Sequence, residues 1–201
     1  MSSNSLDSFL QGMKQAVRTE FAFLHKDFGF PPEPEEGPAS LQWRGPTTHV
    51  TCHIEREGSE IELNPSSQDP AFSRPLGLLV ILADRRPDLL DEMSRAAATD
   101  QWLAEKTRIL ARGLREAGAD LLRGDFSAAP SLLEQQDHLR QEYDRQARAH
   151  EEQRLAERAR KAFHSGRFDE VVELLSPAAD RIGPALTKLL ATARGRQSPG
   201  G

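Results

Sequence analysis

The chain has 201 residues, 37% of them hydrophobic and 28% charged, which is enough apolar side chain for one or two cores beneath a well-solvated surface. A formal net charge of −5 opposes broad binding to nucleic acid or to an anionic membrane, because both need a positive field to attract phosphate. The lone cysteine, Cys52, excludes an intrachain disulfide and a cysteine-based zinc cluster.

The leading residues MSSNSLDSFLQGMK lack the basic region, apolar stretch and small-residue cleavage site of a signal peptide. The densest apolar run, LGLLVILA at 76–83, is far shorter than the ~18 residues that span a bilayer, so a cytoplasmic protein is expected. Leu6, Phe9, Leu10, Met13, Val17, Phe21, Leu24 and Phe28 recur at three- and four-residue steps. That spacing predicts one amphipathic helix of about six turns, stopped by Gly29. The following PPEPEEGP at 31–38 cannot continue it, since each proline removes a donor and restricts its predecessor. This stretch reads as an extended acidic loop, with Glu33, Glu35 and Glu36 as candidate contacts for a basic partner.

From residue 40 the apolar period becomes two: Leu41 and Trp43, then Val50, Cys52 and Ile54, then Ile61 and Leu63. Turn residues separate the groups, predicting three short antiparallel strands with one dry face, packed on the first helix, and one wet face carrying Thr51, His53 and Glu55. A buried helix is expected from LGLLVILADRR, entered from Pro75 and ended by Pro87, with a short helix from Asp88. Thr99 has the character of an N-cap for a long helix, Leu103 to Leu121, closed at Gly124. The order of elements defines an α+β domain over 1–128. Residues 129–163 read as a connecting helix: Leu139, Tyr143 and Ala147 keep a thin seam, opposite charges alternate, and 148–154 offers little to bury. A helical hairpin over 164–195 and a disordered tail, 196–201, complete the expected organisation.

In AERARKAFHSGRFDEVVELL, from residue 156, Ala159, Ala162 and Phe163 are placed to face a second helix. Gly166 permits the turn, and Phe168 caps the apolar seam before Val171, Val172, Leu174 and Leu175. Through Ala159, Gly166, Phe168, Leu175 and Ala178 the segment resembles one tetratricopeptide-type hairpin. Pro177 falls early for that pattern and Val171 stands in a usually small position, so the second helix is expected to break and resume at Pro184. One copy cannot bury both of its faces, so the hairpin must pack on the α+β domain, on another chain, or over Leu139 and Tyr143. Through Phe21, Phe23, Leu24, Phe28, Gly29 and Phe30, and through ADLLRGDFS at 119–127, the whole chain also resembles small bacterial cytoplasmic proteins, some of which look like immunity partners of toxins.

His49, Cys52 and His53 in HVTCH invite a metal or thiol reading. On a strand, however, the two histidines sit roughly 13 Å apart at ~3.3 Å per residue, and Cys52 faces the other way. Asp125 follows a glycine that ends a helix, the usual setting of a cap and turn. No HExxH pair, phosphate-cradling glycine loop or nucleophile elbow occurs. No catalytic residue, metal site or cofactor is therefore expected. The resulting expectation is a non-enzymatic interaction protein, adaptor or toxin-immunity type, with Phe163, Phe168, Leu175, Glu33, Glu35 and Glu36 as partner contacts. The alternatives are an enzyme assembled from His49, His53, Glu55 and Asp125, and a protein self-associating through 134–163.

Overall fold

The computed structural model describes residues 3–34, 37, 39–55, 58–66, 69–97 and 101–197. It comprises two compact units, Met1–His138 and Leu139–Gly201, and belongs to the α+β class.

In the first unit the N-terminal apolar period is carried by two helices, α1 (Ser3–Glu20) and α2 (Ala22–Phe28), rather than one. Phe21 and Phe23 are both buried, yet two positions apart they would stand about 200° apart around an unbroken helix. The break at Phe21, with φ −91° and ψ 9°, turns both rings inward. Phe21 then stacks on Trp43 at 5.7 Å. Gly29 ends α2 in the left-handed region, φ 74°, where a glycine carries no Cβ penalty.

Four antiparallel strands form one sheet in the order β1 (Ser40–Arg44), β2 (Thr48–Glu55), β3 (Gly58–Pro65), β4 (Leu76–Gly77). The register aligns Trp43, Val50, Leu63 and Leu76 in one buried row, and Leu41, Cys52 and Ile61 in another. The fourth strand, absent from the three expected, is two residues of the run read as helix. Alternation has no meaning over so short a length. The wet face is covered at Thr51, which is buried and accepts a hydrogen bond from Asn64 Nδ2 at 3.1 Å. The start of the acidic loop is also fixed in place. Arg44 N–H donates to Pro31 O at 3.1 Å and Glu33 N–H donates to Gln42 O at 2.8 Å, so Pro31–Glu33 lies along the outer edge of β1. Prolines, which bring no donor of their own, suit a segment that ends a sheet.

Helices α3 (Leu78–Arg85), α4 (Pro87–Ala96), α5 (Trp102–Ala117) and α6 (Ala119–Leu122) follow. The dry face meets α1 at β2, and α3 and α5 at β3. Pro87 occupies the first turn of α4, where its missing N–H costs nothing. The expected N-cap Thr99 lies outside the described residues. The long helix expected to reach Gly124 stops instead at Gly118, where Arg85 donates to the Ala117 carbonyl at 2.5 Å and grips both oxygens of Asp120 at 2.7 and 2.8 Å. Gly124, at φ 85°, follows α6.

Helix α7 (Ala129–His164) is continuous. Ala129, Leu132 and Leu133 are buried in the first core. Arg74 bonds Asp137 and the Leu133 carbonyl, and Gln136 holds Gly77 N–H and Pro75 O. The division between units therefore falls inside α7, not ahead of it at residue 128.

In the second unit the rest of α7 is joined by α8 (Phe168–Leu175), a 3₁₀ turn (Ser176–Ala178) and α9 (Pro184–Gln197). Gly166 makes the α7–α8 turn at φ 71°. The hairpin's apolar face is closed by α9: Ala159, Ala162, Val171, Leu175, Leu190 and Ala193 form one buried cluster. Leu139 and Tyr143, a proposed cover for it, are 45% and 73% exposed. Arg196 and Gln197, placed in the expected disordered tail, continue α9, and residues 198–201 lie outside the described ones. No helix among the described residues is long and apolar enough to cross a membrane.

Candidate functional site

Of the residues that invited a catalytic reading, His49, His53, Cys52 and Asp125 are engaged locally or buried. His49 Nδ1 lies 3.1 Å from Ser66 Oγ, and burial, then the nearby Arg44 charge, push its pKa below the ordinary value. His53 Nε2 stands 3.7 Å from Glu62 Oε2, and Glu55 is exposed at the end of β2. Cys52 is fully buried, and burial raises its thiol pKa to about 12, with the Ser59 hydroxyl opposing. The Ser127 hydroxyl, and then the Ser127 N–H that Asp125 accepts at 3.1 Å, hold the Asp125 carboxyl below the usual range and make it a turn residue. Among the described residues no group of three or more His, Cys, Asp and Glu is placed to hold a metal ion.

The six expected contact residues are scattered in role. Glu33 is pinned at the sheet edge, its Oε1 accepting from Arg44 Nε at 2.5 Å. Glu35 and Glu36 lie outside the described residues. Leu175 is completely buried, so its side chain is core and offers nothing to a partner. Phe163 and Phe168 meet edge-on at 5.4 Å, half-buried beneath the Arg196 guanidinium, which sits 5.6 and 5.1 Å from the two rings. Their outer surface is thus shared with an intramolecular cation–π contact.

A different surface of the second unit stands open. Between the middle of α7 and the turn after α8 lies a groove of about 1170 Å³. Tyr143, Ala147 and Leu155 from α7 and Ala178 and Ile182 from the turn supply its apolar lining. Arg148, Arg154, Arg158 and Arg181 stand around that lining, with Glu151 and Glu152 opposing them. None of these four arginines forms an ion pair among the described residues, whereas neighbouring Arg145 pairs with Glu142 and Arg167 with Glu170.

The sequence yields this surface only in part. Tyr143 and Ala147 are visible in the thin seam that Leu139 begins, but 148–154 reads as solvated because the groove's opposite wall comes from Ala178, Arg181 and Ile182, far downstream in the sequence. Helical periodicity detects one helix's stripe and cannot report a wall supplied by a turn. Comparison with protein-family models, with curated proteins and with solved structures finds no match for this chain.

Proposed function

We propose that this chain is a non-enzymatic interaction protein of the cytoplasm, an adaptor or toxin-immunity partner, which docks another protein through its C-terminal helical unit. The observation that carries the reading is the open groove of that unit. It combines an exposed tyrosine, aliphatic side chains and four arginines that form no ion pair among the described residues. Tyrosine and arginine are the residue types that most often dominate binding energy at protein interfaces. An apolar lining, exposed at Tyr143 and Ala147 and half-buried at Leu155, Ala178 and Ile182, with a charged rim also has the anatomy of such an interface. The hairpin resemblance points the same way, since that type of unit serves docking rather than chemistry.

The test places a photo-crosslinking amino acid at position 143 of the full chain in its native cells, with position 79, an exposed leucine of the first unit, as control. A discrete protein adduct from position 143 and none from position 79 is the expected result. Adducts only from position 79, or none from either, overturn docking through the second unit. Where the captured protein is a toxin encoded beside this chain, co-expression restores growth if the immunity form of the reading is right.

A further inference from the structure

The chemistry of the groove narrows its occupant. The chain is acidic overall, at −5, yet the groove carries four arginines against two glutamates. That local excess of positive charge favours an acidic partner and disfavours a second copy of this acidic chain. The wall from Tyr143 to Arg158 is helical and about 22 Å long at 1.5 Å per residue. Tyr143 and Ala147, four positions apart, share one face of α7, and the half-buried Leu155 lines the same groove further along, so a facing helix meets apolar side chains along this wall. Ile182 closes the opposite side.

Resting on the docking function proposed above, the geometry points to one occupant: an acidic amphipathic helix of a protein partner. It lays its apolar stripe on Tyr143, Leu155 and Ile182 and its flanking carboxylates against Arg154, Arg158 and Arg181. Arginine suits this role because its planar fork donates two parallel hydrogen bonds to a carboxylate. The binding energy combines burial of the stripe with several charge-assisted contacts, so affinity depends on both pattern and charge.

The full chain is titrated by fluorescence anisotropy with a labelled synthetic peptide of leucine, alanine and glutamate, about 18 residues long, which forms roughly five turns with leucine on one face. A scrambled peptide of the same composition and a poly-uridine RNA serve as comparisons. Saturable binding of the amphipathic peptide, at least about tenfold tighter than the scrambled one, is expected. The double variant R154E/R158E weakens it at least about tenfold, with an unchanged circular dichroism melt. Y143A weakens it without altering its salt dependence. Equal binding of both peptides, tighter binding of the RNA, full binding by R154E/R158E, or no binding at all overturns the proposal. A protein crosslinked from position 143 together with no peptide binding removes the acidic helix alone. Failure of the crosslinking removes the docking function itself.

Discussion

At the scale of single residues, Cys52 shows how a chemically tempting side chain is made inert. It lies in the middle of the central strand, paired with Leu41 on one side and Ile61 on the other, and is fully buried. A thiolate there would be an unsolvated charge, so burial raises the pKa from 9.0 to about 12. The unfolded chain therefore ionises this thiol first as pH rises, and its contribution to stability is lost above pH 9. The native state binds the extra proton, which sets the sign. By pH 10 the linkage costs about 1.4 kcal/mol, one tenfold step. Urea unfolding at pH 8 and pH 10 should show wild type losing about that much more than C52A, whose own cavity cost is the same at both pH values. A matching loss in both proteins would show that Cys52 is not the titrating group. In native buffer, Ellman's reagent should label Cys52 only at the rate of unfolding. Fast labelling without denaturant contradicts the burial.

At the scale of elements, legibility followed the length over which a pattern runs. β1, β2 and β3 are readable because alternation persists across them, and the register confirms which side chains share a face. The break between α1 and α2 is not, because Val17, Phe21 and Leu24 keep a helical period straight through it. Only the joint burial of Phe21 and Phe23 demands a turn. β4 escapes for want of length, and the early stop of α5 at Gly118 is accompanied by a hydrogen bond to the Ala117 carbonyl from Arg85, a residue more than thirty positions upstream. Glycine positions carry the same lesson. Gly12 and Gly45 differ in what surrounds them: a Cβ at Gly12, in α1, meets nothing within 4 Å, whereas one at Gly45 would collide with the Phe30 ring. Phe30 is fully buried and has little room to retreat in a close-packed interior. G12A should stabilise the fold by about 0.5–1 kcal/mol through helix propensity. G45A should destabilise it by about 1–3 kcal/mol through overpacking. Urea midpoints of the two variants decide the matter, and effects of the same sign would contradict the packing between the β1–β2 turn and Phe30.

At the scale of the whole molecule, the two units have cores of very different quality. The first buries large side chains in contiguous rows, Phe21, Phe30, Phe72, Leu63, Leu76, Ile81 and Leu82 among them. It closes a sheet whose central strands are hydrogen-bonded on both sides. The second rests on Ala159, Ala162, Val171, Leu175, Leu190 and Ala193, half of them alanines, with Phe163, Phe168 and Arg196 stacked at its margin. A methyl group buries little area, and hydrophobic stabilisation scales with area. A unit of that size seldom gains more than about 3–5 kcal/mol from its core. Local opening therefore costs less in α8 and α9 than in β2 and β3. Such a unit also fits a docking role, since a bound helix would add apolar contact that the isolated fold lacks, and mass action would convert that contact into stability. Hydrogen exchange followed by mass spectrometry should show α8 and α9 amides exchanging at least about 100-fold faster than those of β2 and β3, a gap of about 2.7 kcal/mol. R196A should widen that gap by exposing Phe163 and Phe168 while leaving β2 and β3 unchanged. Equal protection in the two units would mean that they open together, and the weaker core would then not govern the behaviour of the C-terminal region.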